Sequence, residues 1–387
     1  MKNQLLLALF IAAFVGITAC QKDDNTGGTS TPIFALPASL ANLKTPADNP
    51  MSVAKIVLGK LLYWDPILSG GRDVACATCH HPNNGYADNL DISIGSNGIG
   101  LGSVRHFQTP NDIGFVKRNS PTVLNTALNG MDTNGNYDPS VAPMFWDKRK
   151  NTLELQALEP IKSLEEMRGH NFSETTVLDS IVERLKNIAE YRQLFATAFG
   201  NDQSITAQNV GRAIASFERS LIANNSPFDR YKRGETSAMT ATQIAGMQSF
   251  QTVGCGNCHS GAMFSDYQTH VLSVPDNAKL GASDSGVNGS YAFRTASLRN
   301  LSFTAPYMHN GRFATLDQVL DFYDNIADGR SQNANVRSNQ IDPKIRQMNV
   351  RDRQQIVAFL QALSDDSFDK TIPTKVPSQL SVGGNIK

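Results

Sequence analysis

The chain carries one five-residue pattern twice, as CATCH at residues 76–80 and as CGNCH at residues 255–259. In a CxxCH pattern the two thiols can add across the vinyl groups of one porphyrin, which attaches a c-type haem covalently. The histidine that follows then lies under the ring and donates an imidazole nitrogen to the iron. The two stretches therefore predict two c-type haems, with His80 and His259 as the proximal iron ligands.

Other uses of paired cysteines compete with this interpretation. A disulfide or a thioredoxin-type redox pair would use the same thiols, and zinc would need two further ligands at each pair or one four-cysteine site. Two complete CxxCH patterns favour haem over these alternatives. The predicted haem-binding residues are Cys76, Cys79, His80, Cys255, Cys258 and His259.

The composition is that of a folded and electrically neutral protein. The chain has 387 residues, a length that suits two domains better than one. It carries 35 Lys and Arg against 35 Asp and Glu, so nothing in its overall charge favours binding to a nucleic acid. Charged residues make up 18% of the chain and hydrophobic residues 40%, a balance that argues against disorder.

The N-terminus predicts export from the cytoplasm. After a basic start, an apolar run over residues 5–19 is too short to span a bilayer and leads into the sequence ITAC. This end resembles a bacterial lipobox, which predicts a signal peptide over residues 1–19, a lipidated Cys20 and a flexible tether over residues 20–40. The alternatives are an uncleaved anchor and an ordinary signal peptide with an incidental cysteine.

Export agrees with the haem interpretation, because c-type haem is attached outside the cytoplasm. One lipid and two haems would also use all five cysteines. The expected location is the periplasm or the outer membrane of a Gram-negative bacterium, where the protein contacts the membrane only through its lipid anchor. Exposure on the cell surface is an alternative.

Apolar residues recur at helical spacing along most of the body. No stretch shows sustained alternation with a period of two, so the sequence predicts a mostly α protein with long loops. Residues 226–237, which begin with a Ser-Pro breaker, suit a link between two halves. The predicted helical segments cover residues 51–63, 175–199, 205–222, 241–253 and 352–363.

Several further motifs follow the haem patterns in a characteristic order. They are RNSPTVLN at residues 118–125, FWD at 145–147, QALEPI at 156–161, EEM at 165–167, FERS at 217–220, SPFD at 226–229, RNL at 299–301 and TAPYMHNG at 304–311. With them the sequence resembles the bacterial di-haem cytochrome c peroxidase and MauG family from about residue 45 to residue 365. The resemblance implies two tandem cytochrome c-like α domains, each with one covalently attached haem.

The same resemblance implies domain boundaries. Residues 41–225 are expected to form the N-terminal cytochrome c-like domain with the peroxidatic haem. Residues 226–370 are expected to form the C-terminal domain with the electron-transfer haem, and residues 371–387 follow as a polar tail.

Three residues are implied to take part in catalysis. In the family a glutamate and a glutamine lie over the N-terminal haem, and here they match Glu166 and Gln156. A carboxylate there can move a proton from the inner to the outer oxygen of hydrogen peroxide, and an amide can orient the peroxide. Trp146 matches a tryptophan that lies between the haems and can relay an electron. Without the resemblance, Glu166 and Gln156 read as polar surface residues and Trp146 as a core aromatic.

A calcium ion is a further implied cofactor. Asn119, with the carbonyl groups of Thr304 and Pro306, matches the family's calcium site between the domains. Oxygen ligands of this kind suit a hard cation, and water molecules would complete its shell.

Ser96 departs from the peroxidase pattern. Peroxidases that need reductive activation carry a histidine at the end of a Ser-Ile-Gly-His segment, where this chain has Ser-Ile-Gly-Ser. Serine is a poor iron ligand, so the N-terminal haem is expected to keep an open sixth position. His106, in the glycine-rich loop that follows, is an alternative ligand.

Tyr323 is the second departure. It stands where the peroxidases have a ligand methionine, as in the MauG branch. A helix predicted to begin after Thr315 turns Tyr323 inward, and a phenolate ligand would give the C-terminal haem a lower potential than a methionine. Alternatively, Tyr323 hydrogen-bonds within the core and Met308 or Met263 binds the iron.

The remaining histidines have no predicted ligand role. His309 is expected to hold a haem edge. The expected surface histidines are His81, His170 and His270.

Together these features predict a haem peroxidase. Hydrogen peroxide is expected to be reduced to water beside Glu166 and Gln156, with electrons from a small cytochrome c or another donor entering at the C-terminal haem. One alternative is a MauG-like oxidase that withdraws electrons from residues of a partner protein. Another is a di-haem electron-transfer protein in which both irons are six-coordinate. The chain is expected to act alone or as a homodimer.

Overall fold

A computed structural model describes residues 42–201 and 203–387. The predicted signal peptide, Cys20 and the tether over residues 20–40 lie outside the described residues. Within the described ranges, no helix is both long and apolar enough to cross a membrane. The described residues belong to one compact unit.

Helices dominate the described residues, as the apolar spacing predicts. The strands form two short antiparallel pairs, β1 (Gly98–Ile99) with β2 (His106–Phe107) and β3 (Thr269–Val271) with β4 (Ala292–Arg294). Long loops and short helical turns connect these elements. The α-helices are α1 (Val53–Trp64), α2 (Cys76–Cys79), α3 (Leu153–Gln156), α4 (Glu159–Lys162), α5 (Val177–Lys186), α6 (Ala189–Phe199), α7 (Ala207–Ser220), α8 (Pro227–Lys232), α9 (Ala241–Thr252), α10 (Leu316–Ala327) and α11 (Arg353–Gln361).

Each half of the body contains a crossing of two helices at a glycine. In the first half α1 meets α7 at Gly59, where a Cβ atom would lie 1.9 Å from the carbonyl oxygen of Ala213. In the second half α9 meets α11 at Gly246, where a Cβ atom would lie 1.9 Å from the carbonyl oxygen of Gln355. The absence of a side chain at each glycine lets the two backbones approach closely. In both halves the first helix of the crossing leads into a CxxCH turn, so the halves repeat one arrangement.

Two separate apolar clusters lie behind these crossings. The cluster of the first half packs side chains of α1, α5, α6 and α7 together, with Leu62 and Phe195 fully buried. The cluster of the second half centres on aromatic rings in edge-to-face contact, a geometry that adds to the gain from apolar burial. The buried rings of this second cluster are Phe228, Phe250, Phe264 and Phe359.

The C-terminal segment returns to the first half of the body. Phe368 and Val376 are buried in the first apolar cluster. The Ser378 hydroxyl donates to Asp65 at 2.6 Å, and the amide of Gly383 donates to the carbonyl oxygen of Trp64 at 2.8 Å. Residues 371–387 look like a polar tail in the sequence, yet in the structure they cover the first half.

Candidate di-haem site

Both CxxCH turns border one continuous cavity. Its wall includes Cys76, Cys79 and His80 from the first half, and Cys255, Cys258 and His259 from the second. The thiols of both pairs are free, so the disulfide alternative is not the state of this structure.

The first attachment turn presents a histidine prepared for metal binding. Cys76 and Cys79 lie at the two ends of the one-turn helix α2. The Nδ1 atom of His80 lies 3.2 Å from the carbonyl oxygen of Tyr86 and 3.1 Å from the Ser120 hydroxyl. Burial lowers the pKa of His80 to about 4, so the ring is neutral. A neutral ring with Nδ1 held by the backbone leaves Nε2 for iron.

The second attachment turn repeats this preparation with a different local structure. Cys255 begins a short 3₁₀ turn, and Cys258 follows it. The Nδ1 atom of His259 lies 2.9 Å from the carbonyl oxygen of Phe264. Burial again lowers the pKa of the histidine, which favours the neutral ring. Paired thiols, a neutral imidazole and a large cavity beside them fit a covalently attached haem in each half.

Zinc fits these residues less well. Among the described residues, one group of three metal-ligating side chains converges, and it comprises Cys258, Asp266 and His270. This group lacks Cys255 and His259, the other thiol and the imidazole that a CxxCH zinc site would use. Both ring nitrogens of His270 are also engaged by carboxylates, at 3.1 Å by Asp266 and at 2.7 Å by Asp342.

Gln156 and Glu166 both lie on the wall of this cavity, as the resemblance implies. Gln156 ends the short helix α3, whose start is capped by the Thr152 hydroxyl. Glu166 lies in a π-helical turn over Leu164–Arg168. Burial raises the pKa of the Glu166 carboxyl, although the charge of Arg149 opposes the shift. A carboxyl with a raised pKa holds its proton more strongly than an exposed glutamate does, which suits an acid–base group.

The segment that ends at Ser96 supports the Glu166 turn from behind. The amide of Ser96 donates to the carbonyl oxygen of Glu165 at 3.0 Å. A Cβ atom on Gly95 would lie 2.3 Å from the carbonyl oxygen of Glu166, so glycine is required for this close packing. Ser96 is buried away from the described cavity wall, and His106 is exposed in β2. Neither side chain is therefore placed to bind the first iron in this structure.

Trp146 is fixed between the two halves. Its indole N–H donates to the carbonyl oxygen of Asn119 at 3.0 Å, and its own carbonyl oxygen accepts from the amide of Arg294 at 2.7 Å. Its ring meets the ring of His309 edge-on at 6.5 Å, and His309 stacks on Phe293 with ring centres 3.6 Å apart. A π-system thus lies on the cavity wall that both attachment turns share.

A cluster of charged side chains holds the segment beside Trp146 in place. Arg118 bonds Asp147 at 2.7 Å and Asp284 at 2.5 Å, so one guanidinium joins the two halves. Burial opposes ionisation of these carboxyls, yet the hydrogen bonds from Arg118 hold the pKa of both Asp147 and Asp284 below the usual value. Sequence reasoning placed Arg118 in a motif without a role, because its two partners are distant in the chain.

Tyr323 lines the cavity next to the second attachment turn. The Thr315 capping box starts α10 as predicted. Burial raises the pKa of the Tyr323 phenol, and the nearby thiols of Cys255 and Cys258 raise it further. No described residue hydrogen-bonds to the phenol, so its oxygen is available for the iron-ligand role that the resemblance implies. Met308 and Met263 line the same cavity, so the alternative ligands stay open.

All three residues of the predicted calcium site line the cavity. The side-chain amide of Asn119 donates to the carbonyl oxygen of Leu90 at 2.8 Å, which fixes its orientation. Thr304 and Pro306 come from the second half. The calcium ion itself stays a prediction.

Two histidines are buried where the sequence analysis expected surface residues. His81 is 2% exposed and packs edge-on against Trp64 with ring centres 5.4 Å apart. His270 is 9% exposed, and its hydrogen bond to Asp266 raises its pKa to about 10. The surface prediction was wrong for both, because residues from other parts of the chain pack against them, Trp64 against His81 and Asp342 against His270. His170 is exposed, as expected.

Glu218 is a cavity-lining residue that the sequence analysis did not single out. It is 4% exposed, and its Oε2 atom has no hydrogen-bond partner among the described residues. The neighbouring Arg219 instead makes two hydrogen bonds to Glu154, at 2.7 and 2.9 Å. Burial therefore raises the pKa of Glu218 to about 8. No local sequence signal distinguishes it, because an acidic residue beside an arginine normally indicates an ion pair.

Two CxxCH turns on one cavity, with a tryptophan fixed between them, define a di-haem c-type oxidoreductase. Residues 53–237 match the model of a family described as di-haem cytochrome c peroxidase. The chain is 35% identical over 333 residues to the methylamine utilization protein MauG of Methylorubrum extorquens, covering 85% of this chain and 83% of that relative. It is 31% identical over 401 residues to a cytochrome-c peroxidase of Pseudomonas sp. strain SCT, covering 94% and 93%. The chain belongs to the di-haem cytochrome c peroxidase and MauG family, as its motifs predict.

Solved structures agree on the fold. A MauG-like protein associated with microbial copper homeostasis matches with a TM-score of 0.68 at 26% identity, over 86% of this chain and 95% of that one. The di-haem peroxidase BthA of Burkholderia thailandensis matches with a TM-score of 0.62 at 20% identity, over 86% and 90%. The prediction of a mostly helical fold is confirmed. The domain boundaries and the assignment of one haem to each half stay predictions.

Proposed function

We propose that this protein is a di-haem peroxidase that reduces hydrogen peroxide to two water molecules with two electrons from a c-type cytochrome. Two protons enter with the electrons, so H₂O₂ + 2e⁻ + 2H⁺ gives 2H₂O. The observation that carries the proposal is the position of Glu166 and Gln156 on the cavity wall that also contains His80. When bound, the haems supply an iron that accepts peroxide and the capacity to store and pass electrons.

Glu166 acts as the acid–base group of this reaction. Its carboxylate would take a proton from one oxygen of hydrogen peroxide and deliver it to the other, which then leaves as water. The raised pKa of Glu166 supports this role, because a proton held with intermediate strength can move in both directions. Gln156 orients the peroxide with its amide, so that the outer oxygen faces the carboxyl.

Trp146 and Tyr323 take part in electron transfer rather than in proton transfer. Trp146 offers a path between the halves, and its hydrogen bonds to both halves keep that path short and rigid. Tyr323 lines the cavity beside the second attachment turn, so its phenolate could bind the iron of a haem held there, and a phenolate ligand would favour the ferric state. Asn119, Thr304 and Pro306 hold a calcium ion with their oxygens and so tie the halves together.

A MauG-like oxidase that acts on a partner protein is the second candidate function. Two observations favour it. Tyr323 lies on the cavity beside the second attachment turn, and the relative with 35% identity carries the name MauG. Such an enzyme would withdraw electrons from side chains of its partner, whereas the peroxidase draws them from a cytochrome.

The N-terminal features complete the proposal. Cleavage after residue 19 and lipid on Cys20 would tether the protein to a membrane outside the cytoplasm, either in the periplasm or at the outer membrane. There it acts alone or as a homodimer. Labelling of Cys20 with a radioactive fatty acid, absent in a Cys20→Ala variant, tests the anchor.

A peroxide assay tests the proposed activity. Purified protein with both haems is mixed with hydrogen peroxide and reduced cytochrome c, and cytochrome oxidation is followed by absorbance. We expect Glu166→Gln to slow turnover by about a hundredfold, within the range for a lost general acid–base group, with unchanged haem content. Glu165→Gln, one residue earlier on the same turn, should retain most of the activity.

Two results would contradict this assignment. Equal rates for the wild type and Glu166→Gln would remove Glu166 from the mechanism. Absence of turnover with any electron donor, together with two six-coordinate haems in the optical and EPR spectra, would favour a di-haem electron carrier.

A further inference from the structure

The two haem-attachment turns differ in their exposure to solvent. Ala77 and Thr78, between the cysteines of the first turn, are fully buried, and the Thr78 hydroxyl donates to the carbonyl oxygen of Gly383 at 2.8 Å. In the second turn Asn257 is exposed and Gly256 is partly exposed. The C-terminal segment thus covers the first turn, while the second turn opens to the surface. Since electron transfer weakens steeply with distance, a protein donor gains access at the second turn.

Exposed basic side chains lie beside the second turn. The Lys344 ammonium group donates to the carbonyl oxygen of Asn257 at 3.2 Å, between the two attachment cysteines. Arg346 donates to the carbonyl oxygen of Ser338, which brings it next to Arg337. We call Arg337, Lys344 and Arg346 the basic rim, and all three are exposed.

The basic rim keeps its charge. Among the described residues, neither Arg337 nor Arg346 has a carboxylate partner, and Lys344 lies 3.7 Å from the carboxylate of Asp266. Asp266 and Asp342, the two acids that contact Lys344, both bond His270, at 3.1 and 2.7 Å. The three exposed basic side chains of the rim therefore outnumber these two carboxylates, which are also engaged by His270.

This local excess of positive charge contrasts with the neutral chain. The 35 basic and 35 acidic residues cancel overall, so long-range steering of a partner has to come from a local patch. Exposed charges around an interface raise the rate of encounter and fix the orientation of the partner, more than they raise affinity.

We propose that the basic rim is the docking surface for a small acidic one-electron donor protein, which delivers its electrons through the Asn257 turn. The proposal rests on the peroxidase function and names the chemistry of its partner. Each docking event oxidises one donor by one electron, so two donors are consumed for each hydrogen peroxide reduced to two water molecules. The exposed turn gives the entry point, and the rim gives the sign of the partner's charge.

Charge reversal tests the rim. Arg337→Glu combined with Arg346→Glu removes the two rim arginines, which lie outside the catalytic residues. The matched control reverses two exposed basic residues away from the second turn, Arg192→Glu in the first half with Lys375→Glu in the C-terminal segment. The probes are a reduced monohaem cytochrome c of net negative charge, one of net positive charge, and a small neutral reductant.

We expect the rim variant to lose about tenfold in kcat/KM with the acidic cytochrome at low salt, because electrostatic steering changes association rates by tenfold or more. The wild-type rate with this donor should fall as ionic strength rises. Turnover of the rim variant with the small neutral reductant should stay unchanged. The control variant should keep its rates with both the acidic cytochrome and the small reductant. Haem content and melting temperature confirm that the variants fold. Arg337→Gln with Arg346→Gln, which neutralises the rim instead of reversing it, should show a smaller loss.

Binding decides the docking proposal separately from peroxide turnover. Titration of the isotope-labelled ferric acidic cytochrome, followed by NMR line broadening, should give a dissociation constant that rises about tenfold in the rim variant. If peroxide is not consumed with any donor but this binding difference appears, the proposed function fails and the docking surface stands. Equal binding by the wild type and the rim variant, or a wild-type preference for the basic cytochrome, would overturn the docking surface even if turnover is normal.

Discussion

Glu218 couples the stability of the first half to pH. Its pKa of about 8 in the folded chain lies well above the value near 4.3 of an exposed glutamate. Between these two values the folded chain keeps a proton that the unfolded chain releases, so the free energy of unfolding decreases as the pH rises. This loss of stability is absent below about pH 4 and reaches its full size above about pH 8.

Replacing Glu218 by glutamine removes this ionisation and keeps a side chain of the same size. We expect Glu218→Gln to match the wild type near pH 4 and to be more stable at pH 8, by about 3–5 kcal/mol. Thermal unfolding at the two pH values measures the difference. Glu174→Gln, at an exposed position, serves as the control and should change neither value. A variant less stable than the wild type at pH 8 would mean that Glu218 is ionised and paired.

At the scale of the element, the two helix crossings depend on their glycines. Gly246→Ala would place a Cβ atom 1.9 Å from the carbonyl oxygen of Gln355 and 3.0 Å from the Cβ atom of Phe359, which pushes α9 away from α11. We expect a loss of about 1–3 kcal/mol in the free energy of unfolding, as for other overpacked sites. The loss should appear although alanine forms helices better than glycine.

Thermal unfolding of Gly246→Ala and of a control measures this effect. The control is Gly281→Ala, because a Cβ atom at Gly281 meets no atom within 4 Å. A stable Gly246→Ala variant with unchanged haem spectra would show that the crossing can open without cost.

The helices could be predicted because their apolar spacing is a local signal. The predicted segment 241–253 corresponds to α9, and the segment 175–199 covers both α5 and α6, which separate after Lys186. The haem turns could be predicted because two thiols and an imidazole within five residues leave few other chemistries. Glu166 and Gln156 were identified through family motifs, and their position on the cavity agrees with that identification.

The features that the sequence could not predict depend on contacts between residues that are distant in the chain. His270 looks like a surface residue until Asp342 folds against it, and Arg118 acquires its role only when Asp147 and Asp284 converge. The same limit applies to the C-terminal segment, whose polar composition conceals the burial of Val376. Spacing along the sequence cannot reveal such partners, because the nearest of them is already tens of residues away.

At the scale of the whole molecule, two similar halves differ in what covers their haem turns. Both use a glycine crossing and a neutral histidine, but the C-terminal segment closes the first turn and leaves the second open. In the proposed peroxidase, the closed first turn would direct a protein donor to the second turn, away from the side of the cavity that Glu166 lines. Under the proposed function, electrons would therefore enter at one turn and peroxide would be reduced at the other.

Removing residues 376–387 tests whether the C-terminal segment shields the first turn. The truncation deletes Val376, the bond from Ser378 to Asp65 and the cover over Thr78. We expect the free energy of unfolding to decrease by at least about 2 kcal/mol, the value for burying one valine side chain. Hydrogen exchange should become faster at the amides of residues 76–80 and stay unchanged at residues 255–259, because only the first turn loses its cover.

A chain shortened by Lys387 alone is the matched control, since this residue is exposed. Equal exchange at the first turn in both shortened chains would mean that the C-terminal segment does not shield it, and the separation of electron entry from peroxide reduction would need another cause.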